Sequence, residues 1–170
     1  MKHIFHITIA HKRRDSRIFH RIVKSISERG SKVKLIVADG KGNELLKNID
    51  IIDIGGNNLL LQNNFSKQLR LFYELFKAKS ILHFHEPILL PLAIILKTFG
   101  NIVVFDMHEN LHLQIITKHW PIPKLIKKFI AKFYRKIENI FLMKMSGITV
   151  PQPIMIDMYK KYNPNIISVS

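Results

Sequence analysis

The 170-residue chain contains no cysteine. That excludes disulfides, thiolate metal sites and a cysteine nucleophile. Acidic residues are scarce, at 12 Asp+Glu against 27 Lys+Arg, which leaves a formal net charge of +15. Such an excess selects polyanionic partners: nucleic acid, an anionic membrane surface or a phosphorylated substrate. Long hydrophobic runs are missing too. The longest, Ile88 to Leu96, is nine residues interrupted by Pro91, whereas a bilayer-crossing helix needs roughly 20. The opening residues alternate apolar and polar rather than forming the apolar block of a signal peptide. Together these features predict a cytoplasmic protein.

Glycine is absent from the first turn, Ala10 to Arg17. A dinucleotide fingerprint needs glycine there so that the backbone can approach a pyrophosphate, so the sequence argues against an NAD enzyme. Gly40 and Gly42 lack the third glycine of that pattern and follow the wrong strand. There is no P-loop, no Gly-x-Ser-x-Gly elbow and no carboxylate pair suggestive of a glycosidase. No organic cofactor is expected.

What is present is an alternation of element patterns. Hydrophobic residues make up 47%, enough for one sizeable core. Strand patterns fall at 3–9, 32–38, 49–54, 80–84, 101–107, 147–150 and 166–169. Helical spacing occurs over 16–29, around Phe65 to Phe76, and over 88–99, 124–145 and 152–162. No repeat or linker interrupts the series. Several strands are apolar on both faces. The prediction is α/β: a parallel sheet of six or seven strands, the first strand central, with helices on both faces in a Rossmann-like doubly wound arrangement. Residues 1–170 are expected to form a single domain.

In such a sheet, ligands bind at the carboxyl ends of the strands. Four turns qualify: 10–17, 39–44, 85–87 and 106–112. Three of them carry histidine: His11, His85, and the pair His108 and His112. Each alone reads equally well as a solvated loop side chain; their convergence on one sheet edge favours function. His108-Glu109-Asn110-Leu111-His112 matches the zincin pattern H-E-x-x-H, but a zincin needs both histidines inside one regular helix. Here His108 abuts a strand, so a zinc hydrolase through His108 and His112 ranks as a distant third reading.

Three stretches resemble the retaining glycosyltransferases of the large family 4: HKRRDSRIFHRIVKSISERGSKVKLIVADG (11–40), ILHFHEPILLPLA (81–93) and VVFDMHEN (103–110). Lys118 to Pro121, a long basic helix and GITVP (147–151) follow in the family's order. The resemblance implies the N-terminal, acceptor-side half of a GT-B fold. The family's other half binds the nucleotide-sugar and carries two glutamates eight positions apart. No glutamate pair here has that spacing: Glu86, Glu109 and Glu138 are followed eight places on by Ile94, Thr117 and Ser146. The nucleotide-sugar domain is therefore expected elsewhere, in cis or as a separate chain.

By the same resemblance, His108 is the catalytic residue, reaching the donor sugar when the cleft closes. His85 and Glu86 line the acceptor side. Glu109, His11, Asp15 and Arg17 join them in substrate binding, with Asp15-Ser16-Arg17 standing where the family usually carries glycines. Retaining transfer of this kind relies on positioning and charge stabilisation, so no metal is expected, including between His108 and the His85–Glu86 turn. The chain alone is expected to be inactive.

Implied partners are a nucleotide-sugar, a lipid-linked or saccharide acceptor, and an anionic membrane surface at the inner leaflet. Nucleic acid is not expected, because no recognisable module is present and the aromatics lie on apolar helix faces. Eight basic residues face Glu138 alone between 118 and 146. Leu125, Ile126, Phe129, Ile130, Phe133, Ile137 and Phe141 form a stripe expected to pack on the sheet. The basic face, with Arg14, Arg17, Arg21 and Lys24, is left for peripheral docking. A non-catalytic membrane-docking subunit that recruits a separate catalytic half is the alternative reading.

Overall fold

The computed structural model describes residues 3–55, 72, 73, 75, 76, 79–108, 110–119 and 121–169. They form two compact units, Met1–Val104 and Phe105–Ser170.

In the first unit the strands are β1 (Ile4–Ile7), β2 (Val33–Val37), β3 (Glu44–Leu46), β4 (Ile49–Asp53), β5 (Ile81–Phe84) and the start of β6 (Ile102–Asp106). Their order is β3-β4-β2-β1-β5-β6. β1 pairs in parallel with β2 and β5, and β2 with β4. Only the short edge strand β3 is antiparallel, folding back on β4. It was not expected from the sequence: three residues after a glycine turn carry too little alternation to register.

The β1→β2 connection steps one way along the sheet and the β5→β6 connection steps the other. Right-handed crossovers then place their helices on opposite faces, the doubly wound arrangement expected. The β1→β2 helix, α1, starts as a π-turn segment over Ser16–Val23 and continues as regular helix over Lys24–Glu28. The wide first turn has a visible cause. The N–H groups of both Phe19 and His20 donate to the carbonyl of Asp15. Ile18, Phe19 and Val23 of α1 pack on Val33, Leu35, Val37, Ile49 and Ile51. Each such side chain contributes about 1.5–3 kcal/mol when fully buried.

The β5→β6 helix is α2 (Leu90–Thr98), entered through a 3-10 turn over Pro87–Leu89. Asn101 then locks β6 in place. Its side chain accepts the N–H of Ser80 and donates to the carbonyls of Leu75 and Leu96. Most of the helix expected around Phe65 to Phe76 lies outside the described residues; Phe72, Tyr73, Leu75 and Phe76 are helical.

The second unit holds the end of β6, then α3 (Leu111–Thr117), α4 (Lys124–Lys144), β7 (Gly147–Val150), α5 (Ile154–Tyr159) and β8 (Ile166–Ser168). β7 pairs in parallel with β8. The helix at 111–117 departs from the expectation of no helical spacing there; at seven residues it is too short to show a clear period.

A larger departure concerns α4. The stripe expected against the sheet is largely exposed: Leu125 is 80% accessible, Phe129 73% and Phe133 60%. The buried positions are Lys127, Ala131, Glu138 and Leu142, which share one face at helical spacing. The polar groups on that face are partly paired, although Glu138 Oε2 finds no partner among the described residues. Lys127 Nζ donates to the carbonyl of Lys118, and Glu138 accepts from Tyr134. A small alanine and a leucine complete the contact, so the phenylalanines point outward.

Candidate functional site

Within the first unit, β1 and β5 are neighbours whose connections leave in opposite directions. Their carboxyl ends therefore form a topological switch point, where open α/β sheets place ligands. Thr8 and His11 follow β1; His85 and Glu86 follow β5.

Glu86 organises this rim. Its Oε1 accepts the backbone N–H groups of Ile9 and Ala10, both at 3.1 Å, and the hydroxyl of Thr8. Thr8 Oγ1 in turn accepts the N–H of His11. The His11 ring stands 4.0 Å from Glu86 Oε1 and 3.7 Å from Asp15 Oδ2. A buried carboxylate thus fills the small nest of amides that a phosphate would otherwise occupy. Asp15 caps α1, accepting from the N–H groups of Arg17 and Ile18 at 2.9 Å. Arg17 itself is half-buried.

The turn 39–44 is closed the same way. Asp53 accepts the N–H groups of Gly40, Gly42 and Gly55, and Gly40 and Gly42 both take positive φ, which glycine allows without strain. Arg13 grips Asp39 bidentately at 2.6 and 2.7 Å. That hydrogen bonding holds the Asp39 carboxyl below its usual range. Neither Arg13 nor Asp39 was singled out from sequence, since nothing in their spacing marks a pair 26 residues apart.

In the second unit, Asp106 at the end of β6 is fully buried. Its Oδ2 accepts from His108 Nε2 at 3.0 Å, and its Oδ1 accepts the Thr149 hydroxyl at 2.7 Å. Nε2 is thus committed to Asp106; the ring's other nitrogen is Nδ1. It can accept from a hydroxyl or, when protonated, donate to developing negative charge. Asp106 and Thr149 were missed in the sequence. The alternation of VVFDM placed Asp106 in a strand, but only the β6–β7 pairing reveals its partner.

Glu109 lies outside the described residues. His108 precedes α3 and His112 sits inside it, so the two histidines do not share the regular helix that a zincin requires. His112 is buried, which lowers its pKa; the Arg135 charge adds to the effect.

No protein-family model matches the chain, and no curated protein does. Solved structures do. One is the E. coli trehalose-6-phosphate protein bound with UDP-2-fluoro glucose, at 12% identity and a TM-score of 0.53 over 90% of this chain. Another is an alpha,alpha-trehalose-phosphate synthase (UDP-forming) from Burkholderia vietnamiensis, at 11% identity and a TM-score of 0.53 over 95%. The chain spans 40% and 42% of their lengths. At such identities the likeness is one of fold: the Rossmann-like α/β fold of GT-B glycosyltransferases. It does not single out family 4.

Proposed function

We propose that this chain is the acceptor-side half of a bacterial retaining glycosyltransferase. It would act on a lipid-linked or saccharide acceptor, with the nucleotide-sugar bound mainly by a second domain. The observation that carries this reading is the state of the two turns best placed to bind phosphate. Their amides are already engaged by Glu86 and Asp53, so this half is poorly suited to a diphosphate. The same rim offers His11, His85 and Glu86 as hydrogen-bonding groups for sugar hydroxyls.

In this reading His108, oriented by Asp106, supplies a fixed imidazole where charge develops as the donor sugar separates from its diphosphate. Electrostatic groups held in place beforehand are the main catalytic resource for such a step. Asp106 acts through His108 and is a positioning residue. Arg17 and Asp15 shape the entrance of α1 rather than contact the reacting atoms.

α4 supports a membrane-facing role. Its exposed Phe129 and Phe133, with Lys132, Arg135, Lys136 and Asn139, line a surface hollow of 460 Å³. Among the described residues no helix is long and apolar enough to cross a membrane. Cations beside exposed aromatic rings suit the headgroup region of an anionic leaflet. The same face favours the second reading, a docking subunit that brings a separate catalytic half to the membrane.

The test pairs this chain with a nucleotide-sugar domain of the GT-B type, supplied in cis or as a separate chain, and adds a panel of nucleotide-sugars with lipid-linked and saccharide acceptors. Product is followed by mass spectrometry. Transfer by the paired protein, and none by residues 1–170 alone, is the expected outcome. Full transfer by residues 1–170 would overturn the division of labour. A paired protein that transfers to no acceptor, yet binds anionic vesicles, would favour the docking subunit.

A further inference from the structure

Parallel pairing sets His6 of β1 directly opposite His83 of β5. The pleat returns to the same face two residues later, which places His85 beside them. The three rings are buried, with exposures of 0%, 7% and 2%. Ring centroids lie 4.8 Å apart for His6–His83 and His83–His85, and 5.4 Å for His6–His85. His6 Nδ1 and His85 Nε2 are 3.1 Å apart, and one ring nitrogen from each of the three lies within 4.8 Å of the others.

We propose that His6, His83 and His85 form a site for a divalent transition-metal ion of the zinc type. Two imidazole nitrogens at about 2.05 Å from a tetrahedral zinc ion stand about 3.3 Å apart. The His6–His85 separation, a hydrogen bond of 3.1 Å without the ion, is already within a few tenths of an ångström of that edge; the ion would replace that hydrogen bond, and the His83 ring, stacked on His85, would turn toward it. Three imidazoles without thiolate or exposed carboxylate select Zn²⁺, Co²⁺, Ni²⁺ or Cu²⁺ over Mg²⁺ and Ca²⁺. A water molecule completes four-coordination. The buried carboxylate of Glu86, the next residue after His85, supplies negative charge in the same turn; its Oε2 has no hydrogen-bond partner among the described residues.

The sequence led to an expectation of no metal through the transfer chemistry that the resemblance implies; His83 reads as a strand residue and His85 as a turn residue, and His6 comes opposite them only through sheet register. The role assigned is structural. The ion ties β1 to β5 at the switch point; with His85 held by the ion, the sugar-binding part of the proposed function falls to His11 and Glu86.

The test uses the 170-residue chain after treatment with a chelator, titrated with ZnCl₂ and, separately, with CoCl₂. The expected results are one tightly held ion per chain and the visible bands of tetrahedral cobalt, abolished by one equivalent of zinc. Melting temperature rises by at least about 5 °C at a hundredfold excess over Kd. His6→Gln and His83→Gln each weaken binding by at least tenfold. X-ray absorption on the unaltered zinc-loaded chain, independent of whether those variants fold, shows three imidazoles. Absence of any retained ion overturns the proposal. So does zinc binding unchanged in both variants, or an absorption spectrum with fewer than three imidazoles, either of which places the metal on other histidines.

Discussion

Asp106 accepts the Nε2–H of His108 at 3.0 Å. With the Thr149 hydroxyl on its other oxygen, this carboxylate both fixes the imidazole's orientation and favours one tautomer, as the buried aspartate does in hydrolase triads. On the proposed function, His108→Ala in the assembled transferase is expected to lower turnover by about 10²-fold or more. Asp106→Asn should lower it by at least about tenfold, because the amide no longer fixes the ring's orientation and tautomer. Turnover within a factor of two of wild type for His108→Ala rejects its role. Unchanged turnover in Asp106→Asn would reduce Asp106 to a packing group.

Glu86 is expected to hold the first turn closed. Glu86→Ala strips a buried charged acceptor from two amides and a hydroxyl, and should cost about 2–4 kcal/mol. Urea denaturation measures that cost. Hydrogen exchange at Ile9 and Ala10 should quicken selectively. A loss under 0.5 kcal/mol with unchanged exchange at both amides would mean the nest is not set by this carboxylate.

Burial raises the Glu138 carboxyl to about 7, against the lowering effects of the Tyr134 hydrogen bond and the Arg135 charge. The folded chain therefore retains a proton between about pH 4.5 and 7 that the unfolded chain has released. Its contribution to stability falls as pH rises through that window and levels off above it. Burial also raises the Tyr159 hydroxyl to about 12, leaving it neutral throughout. Glu138→Gln should thus be near neutral at pH 4 and stabilising by about 2 kcal/mol at pH 8. Equal effects at both pH values would show that Glu138 titrates normally.

The outward face of α4 predicts association with anionic vesicles that weakens from low salt to about 0.5 M, where screening shortens to a few ångströms. Replacing both Phe129 and Phe133 by Ala should weaken sedimentation with vesicles by at least tenfold, since each ring loses apolar contact. Equal binding to neutral and anionic vesicles, or binding insensitive to salt, would contradict the mechanism.

The sheet was legible because seven of its eight described strands, one more in all than expected, are short apolar runs bounded by turns, and β1 holds the central place expected of it. The candidate positions His11, Asp15, Arg17, His85 and Glu86 were legible as residues at strand ends. Their jobs were not. That Glu86 binds the amides of Ile9 and Ala10, some 76 residues away, and that Asp106 binds Thr149, 43 residues on, depends on strand order. The α4 stripe misled for a related reason. Periodicity shows that a helix has an apolar face, but not which face the fold covers. Paired Lys127 and Glu138 are buried while Phe129 and Phe133 are exposed.

The central claim is that this half serves the acceptor and leaves the nucleotide-sugar to another domain. Calorimetry of residues 1–170 against a panel of nucleotide-sugars tests it most directly. The account predicts no heat beyond dilution, or binding weaker than about 1 mM. Binding of any nucleotide-sugar tighter than about 10 μM would place the donor site in this chain and contradict it.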